Sequence, residues 1–167
     1  LSRAMVDHLA RLHAVDLDAS GLRDFGRPEG YVRRQIEGWT KRWRDARTDE
    51  ITEMESVGKW LEERMPAESG VAIIHNDYKL NNLVLNPEDL TEVRAVLDWE
   101  MATVGDPLFD LAVSLSYWNE PEDPQQLQTV MPTVTSTPGF MTRSELMGRY
   151  AEKSGRDLSQ LDFYVVL

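Results

Sequence analysis

The sequence contains no cysteine, which excludes disulfides, thiolate metal sites and a cysteine nucleophile. Histidine is scarce, with three residues, too few for the histidine-rich ligand sets of two-metal hydrolases. No apolar run approaches the roughly 20 residues that cross a bilayer, and no signal-peptide pattern opens the chain. We therefore expect no membrane partner and a reducing, cytoplasmic setting. Positive charge is in the minority: 18 Lys and Arg face 29 Asp and Glu, a formal net charge of −11. Such a chain repels polyphosphate overall, so nucleic acid is not an expected partner either.

What remains is an ordinary globular composition. The 167 residues are 41% hydrophobic and 28% charged, enough for one domain with a real core. The acid is unevenly placed. Only 6 of the 18 basic side chains lie after residue 70, against 15 of the 29 acidic ones. Glu120, Glu122 and Asp123 read as a solvated acidic surface that aids solubility. The chain enters at Leu1 directly into a helical pattern and stops in the apolar run Phe163 to Leu167. We expect a fragment, with a missing upstream lobe and a truncated C-terminus.

Periodicity predicts helices first. Met5, Leu9, Leu12 and Val15 define one over 2–15, with Ser2 as its cap. Phe25-Gly26-Arg27-Pro28 marks a loop within 21–30. Val32, Ile36, Trp39 and Trp43 line one face of a helix over 30–46, with basic residues on the others. Thr48 is expected to start a third helix, with Ile51, Met54, Val57, Leu61 and Met65 buried and Pro66 ending it. The pattern then changes. Val71 to Ile74, Leu83 to Leu85 and Val93 to Leu97 read as short strands, with a turn at Asn86-Pro87-Glu88-Asp89. Gly105-Asp106-Pro107 precedes a helix through Leu108, Leu111 and Leu115. Residues 119–139, with prolines at 121, 124, 132 and 138, read as a long loop. Two helices, over about 141–153 and from 158, complete the chain. Without strand–helix alternation, the expected class is α+β, mostly helical.

The chemistry concentrates in Ile74-His75-Asn76-Asp77-Tyr78-Lys79-Leu80-Asn81-Asn82 and in Val96-Leu97-Asp98-Trp99-Glu100. A buried strand delivers His75 and Asp77 into a loop, Asn82 stands at the entry to the next strand, and Asp98 ends the third. Strand ends joined by a tight turn would bring Asp77, Asn82 and Asp98 to one edge of a small sheet. Two carboxylates and an amide are hard oxygen donors, suited to Mg²⁺ or Mn²⁺ and poorly to zinc. A spare aspartate beside such a metal can act as base toward a hydroxyl. The bland alternative is that each residue caps a turn, as Asp and Asn often do.

These residues carry a resemblance. His-x-Asp-x-x-x-x-Asn, followed some sixteen residues later by a strand-terminal Asp, resembles the catalytic and metal loops of the protein-kinase-like fold. Ile-His-Asn-Asp, Val-Leu-Asp-Trp-Glu and the Gly-Asp-Pro-Leu-Phe-Asp at 105–110 resemble the aminoglycoside phosphotransferase and choline kinase branch. The likeness runs from Leu12-His13 to about Trp118. Within that branch, the segment from Gln35 to Trp43 and that from Leu97 to Ala102 are most similar to the kinase-like domains fused to some acyl-CoA dehydrogenases.

The resemblance implies the mostly helical C-terminal lobe of a kinase-like fold, with a small β-hairpin carrying the two loops. It implies Asp77 as catalytic base, and Asn82 and Asp98 as the residues holding Mg²⁺ against the phosphates of ATP or GTP. His75, placed with the catalytic group, reads as a scaffold for the loop backbone. Lys79 has two readings, a contact to the transferring phosphate or a solvated lysine. Asp106 and Asp110 are expected to brace the loops. Trp99, Glu100, Tyr117 and Trp118 are candidate walls for a small-molecule hydroxyl acceptor, and the basic residues around Trp39 and Trp43 a candidate anion grip.

Two departures from the branch stand out. Asn76 replaces its usual glycine, with a mild effect expected. No glycine-rich phosphate loop, strand lysine or partner glutamate is present, and Gly105 and Gly139 stand in no such motif. The implied function is a small-molecule kinase whose lower lobe alone is weakly active or inactive. The alternatives are a catalytically silent kinase-like module that binds nucleotide or a partner, and a metal-dependent phosphohydrolase. A protein kinase is disfavoured by the missing Asp-Phe-Gly and Ala-Pro-Glu patterns.

Overall fold

The computed structural model describes residues 1–130 and 133–167. Helix α1 (Ser2–Leu12), α2 (Tyr31–Ala46) and α3 (Thr52–Arg64) come first. They are followed by β1 (Ala72–Ile74), β2 (Leu83–Leu85), β3 (Val93–Val96) and β4 (Thr103–Gly105). Helices α4 (Pro107–Ser116), α5 (Gln125–Val130), α6 (Arg143–Ser154) and α7 (Leu161–Val166) complete the chain. The class is α+β and mostly helical, as the periodicity predicts.

The strands form two antiparallel ribbons. β2 pairs with β3, Leu83 opposite Val96, as the tight turn between them requires. β1 does not join that ribbon. It pairs with β4, Ile74 opposite Thr103 and Ala72 opposite Gly105. β4 was not expected: three residues ending in glycine carry almost no strand signal, and the partner lies some thirty positions earlier. β1 is buried throughout, which fits its unbroken β-branched and apolar sequence.

The core is built by α4, whose Leu108, Leu111 and Leu115 are all buried, with Met5, Val6 and Leu9 of α1 and Leu146 and Tyr150 of α6 around them. Each fully buried leucine contributes about 2 kcal/mol of transfer free energy. α4 starts sharply because Asp106 accepts the Leu108 N–H at 2.9 Å and Pro107 occupies the first turn, where its missing N–H matters least. α6 carries a capping box between Thr142 and Glu145 and ends at Gly155 with φ 67°. Arg149 of α6 holds Asp7 of α1 by two bonds of 2.6 Å.

Several expectations are corrected. Ser2 does not cap α1; it is buried, and its hydroxyl accepts the Met141 N–H at 3.1 Å. α1 stops at Leu12, short of Val15, which is exposed. α3 begins at Thr52 rather than Thr48, whose hydroxyl is turned to the Asp49 carboxylate. Ile51 and Met54 are about half exposed, because α3 packs on α7 mainly through its later residues, with Trp60 stacked on Phe163 at 5.7 Å. Trp39 is likewise exposed rather than packed inward. Four of the surrounding basic residues are already partnered: Arg44 and Arg47 bind Glu55, Lys41 binds Asp45, and Arg42 lies over the Trp39 ring. Residues 119–139 are more structured than a loop. α5 follows Pro124, a 3₁₀ turn covers Val134–Ser136, and Thr135 ties back to both backbone groups of Asn119 at 2.9 Å. Pro132 lies outside the described residues. Glu120 and Asp123 are not simply solvated, since both bind Arg143.

Gly26 is extended (φ −164°), so its backbone asks for no glycine. The space does. A Cβ there would stand 2.5 Å from the Val104 nitrogen and 2.9 Å from its carbonyl oxygen. Gly26→Ala is expected to destabilise the chain by about 1–3 kcal/mol through forced separation of this loop from β4. Urea unfolding measures it; an unchanged midpoint would show that the loop moves freely.

Candidate active site

The site begins where β1 ends. His75 is fully buried and Asn76 turns the chain through a left-handed conformation, φ 64°, which Asn tolerates better than most residues. The turn is held from below by Asp110, in the first turn of α4. Its Oδ2 accepts the His75 N–H at 2.8 Å and its Oδ1 the Asn76 N–H at 2.7 Å. Oδ2 also accepts His13 Nε2–H at 3.0 Å, and His13 Nδ1 meets the Tyr150 hydroxyl at 2.7 Å. Asp110 and Asp106 therefore brace the loops. Asp106 caps α4 while also taking the Ser69 backbone N–H and the Tyr164 hydroxyl, each at 2.8 Å. His13, Tyr150 and Tyr164 were not singled out in the sequence; only the pairing of Leu12 with His13 hinted at the first.

His75 is a scaffold. Its Nδ1 accepts the Asp77 N–H at 3.2 Å and its Nε2–H donates to the Leu97 carbonyl at 2.8 Å. Both nitrogens are committed to backbone, which fixes one tautomer and leaves no lone pair for a substrate. The ring also packs against Trp99, centroids 4.9 Å apart.

Asp77 projects from the loop and receives two partners. Lys79 Nζ donates to Oδ1 at 2.9 Å and to Oδ2 at 2.7 Å. Asn82 Nδ2 donates to Oδ2 at 3.0 Å and to the Asp77 carbonyl at 2.8 Å. The Tyr117 hydroxyl stands nearby and adds to the pull toward the ionised form. Partial burial pushes the Asp77 carboxyl up, but the hydrogen bonds from Lys79 and Asn82, together with the Tyr117 hydroxyl, outweigh it, and the net direction is below its ordinary value. Lys79 is raised by its bond to Asp77, opposed by burial and helped by the charge of Asp98.

The residue before Asp98 reaches Asn82 through backbone: the Leu97 N–H donates to the Asn82 carbonyl at 2.8 Å. Asp98 then takes a left-handed conformation, φ 67°, before the 3₁₀ turn Trp99–Met101. Its side chain is exposed and accepts no hydrogen bond among the described residues. Asp77 and Asn82 are thus joined directly, and the segment leading into Asp98 is tied to Asn82 through Leu97. Among the described residues no three His, Asp or Glu side chains form a metal cluster, so a two-metal hydrolase has no ligand set there.

Beside Asp77 and Lys79 lies a cavity of about 270 Å³ lined by Lys79, Asn81, Ser114, Tyr117, Trp118 and Thr135, among others. Of the four candidate wall residues, Tyr117 and Trp118 line it. Lys79 Nζ stands 4.8 Å above the Tyr117 ring, and Trp118, almost fully buried, is pinned by its Nε1–H to the Met141 carbonyl at 2.8 Å. Trp99 and Glu100 belong to the Asp98 loop and do not line it.

The sequence profile of the phosphotransferase enzyme family matches residues 1–132. The chain belongs to that family. The match extends beyond the stretch from Leu12 to Trp118 on which the motifs rest. A mouse relative, acyl-CoA dehydrogenase family member 10, is 44% identical over 116 residues, 69% of this chain and 11% of its own length. Rat acyl-CoA dehydrogenase family member 11 is 33% identical over 171 residues, 98% of this chain and 21% of its own. These names agree with the finer resemblance in the motifs. A solved structure from Ralstonia eutropha, named for the aminoglycoside phosphotransferases, superposes with a TM-score of 0.85 at 33% identity, covering 98% of this chain and 50% of that one. An aminoglycoside phosphotransferase of Streptomyces rimosus, solved with ADP and streptomycin, shares the fold at a TM-score of 0.62 and 18% identity, covering 99% of this chain and 60% of that one. The phosphotransferase fold is therefore that of this chain, which spans a small part of the curated relatives and half of the Ralstonia structure.

Because the Asp77 carboxyl is held below its ordinary 3.8, its ionised form stabilises the fold above that pH, and the contribution is lost as pH falls through the lowered value. Lys79→Met removes the strongest of the lowering bonds. The Asp77 carboxyl midpoint, followed by its ¹³C shift, is expected to move up in that variant; an unmoved midpoint would mean that the ion pair does not form in solution.

Proposed function

We propose that this chain is the lower lobe of a small-molecule kinase, which transfers the γ-phosphoryl group of ATP or GTP to a hydroxyl of a small acceptor. The rest of the nucleotide site would lie in residues outside these 167. The observation that carries the reading is the Asp77 carboxylate, kept ionised and held by Lys79 and Asn82, with Lys79 and Tyr117 lining a solvent-reaching cavity beside it. The ADP complex of the Streptomyces rimosus phosphotransferase supports a nucleotide as co-substrate.

Asp77 orients the acceptor hydroxyl and takes its proton. The hydroxyl oxygen bonds to the γ-phosphorus as the bond to the β–γ bridging oxygen breaks, and that electron pair leaves with the nucleoside diphosphate. Phosphoryl transfer asks chiefly for alignment and charge neutralisation, and fixed side chains supply both. His75 and Asp110 hold the loop still. Lys79, already charged, can turn its ammonium from Asp77 to a phosphate oxygen.

The donor set fits Mg²⁺ or Mn²⁺. Asn82 directs its amide nitrogen to two acceptors of Asp77, which leaves Oδ1 as its ligating atom, and the Asp98 carboxylate is uncommitted. Both are hard oxygens. When bound, the ion would neutralise phosphate charge between Asn82 and Asp98.

The test uses a longer chain extended upstream of Leu1. It is expected to consume nucleotide with a hydroxyl acceptor, while the 167-residue chain alone shows little turnover. Asp77→Asn in the longer chain should lower kcat by about 10²–10⁴ with nucleotide KM little changed. Undiminished turnover by Asp77→Asn would overturn the reading, and a longer chain that binds nucleotide without turning it over would favour a silent module.

A further inference from the structure

Asn76 stands where its branch carries glycine, and its backbone conformation, φ 64°, is one that glycine adopts at least cost. Something other than the turn itself must use the side chain. The structure shows two bonds. Asn76 Nδ2 donates to the Met101 carbonyl at 2.8 Å, and Asn76 Oδ1 accepts the Tyr31 hydroxyl at 3.0 Å. The acceptor at Met101 and the donor at Tyr31 fix which way the amide faces. The neighbouring residue does the same thing to the same loop: His75 Nε2–H reaches the Leu97 carbonyl at 2.8 Å.

Leu97 and Met101 bracket Asp98. Two consecutive side chains of the Asp77 loop therefore grip the Asp98 loop on both sides of its carboxylate. Between those grips the backbone passes through a left-handed residue and a single 3₁₀ turn, closed by the Ala102 N–H on the Trp99 carbonyl at 3.0 Å. The loop is also tied by the Trp99 Nε1–H on the Val96 carbonyl and the Leu97 N–H on the Asn82 carbonyl, each at 2.8 Å, but at its far end, among the described residues, only Asn76 reaches the Met101 carbonyl from the Asp77 loop. The same Asn76 has its own N–H on Asp110 at 2.7 Å, so the grip is anchored to the core through α4. Tyr31, at the start of α2, is buried, and its ring meets Phe109 of α4 edge-on at 5.7 Å.

We propose that Asn76 is a positioning residue: with His75 it forms a two-point clip that sets the Asp98 carboxylate relative to Asp77 and Asn82. The metal part of this proposal rests on the function proposed above; the clip itself does not. A glycine at 76 would keep the turn and lose one arm of the clip. Groups that orient ligand-bearing segments in this way commonly change metal affinity by 10–100-fold when removed.

The experiment compares Asn76→Gly and Tyr31→Phe with the unaltered full-length protein. Asn76→Gly favours the backbone conformation, so its melting temperature should stay close to that of the parent. Hydrogen–deuterium exchange of the peptide spanning 97–102 is expected to speed up at least about fivefold in Asn76→Gly, with a peptide in α4 unchanged. Tyr31→Phe should give a smaller change in the same direction. Mn²⁺, titrated in the presence of ADP, should bind about tenfold more weakly to Asn76→Gly. Exchange within twofold of the parent would overturn the clip. Faster exchange with unaltered Mn²⁺ affinity would overturn the positioning role. If the unaltered protein binds no Mn²⁺ while exchange still accelerates, the clip stands and the metal reading of the site fails instead.

Discussion

The carboxylate of Asp110 is the interaction on which the site depends. It is fully buried, yet every polar demand on it is met by donors from elsewhere: two backbone amides of the Asp77 loop and the imidazole of His13 at the end of α1. A buried carboxylate left without such partners would cost several kcal/mol. The core therefore favours only the arrangement in which the loop sits on α4 and α1 closes over it. Packing gives the helices their order, and this one side chain converts that order into the placement of a loop.

From that anchor the geometry proceeds outward by short steps. His75, fixed at its own amide, uses its ring to set the Asp77 amide on one side and Leu97 on the other. Asp77, so placed, gathers Lys79 and Asn82. The loops on both sides contain a residue in the left-handed region, Asn76 and Asp98. Strained conformations of this kind persist where surrounding bonds over-determine them, and they gather at functional sites.

Legibility in the sequence followed the range of the interactions. The Asp77–Asn82 relation spans five residues and the β2–β3 hairpin little more, so spacing and turn chemistry reveal both. The helical stripes of α1, α2 and α4 are local patterns, and their cores lie where periodicity puts them. Helix ends and edges were harder. Thr48 has the chemistry of a cap but spends it on Asp49, and Trp39 follows the apolar face of α2 yet remains exposed. The pairing of β1 with β4, about 30 positions apart, and the contacts of His13, 97 and 137 positions away, were beyond reach, because no local pattern encodes such distant partners. The role of Asn76 was hidden for another reason: the residue is visible as a departure from the family, but its two acceptor and donor partners become adjacent only after folding.

The bond between His13 and Tyr150 carries a consequence for biosynthesis. His13 directly follows α1 and Tyr150 lies in α6, close to opposite ends of this segment. Translation proceeds from the first to the last at about 5–20 residues per second. For several seconds after α1 has emerged from the ribosome, the support beneath the Asp77 loop has no final partner for its imidazole. The Asp77 loop is thus synthesised midway through this segment and receives its full support only near the end.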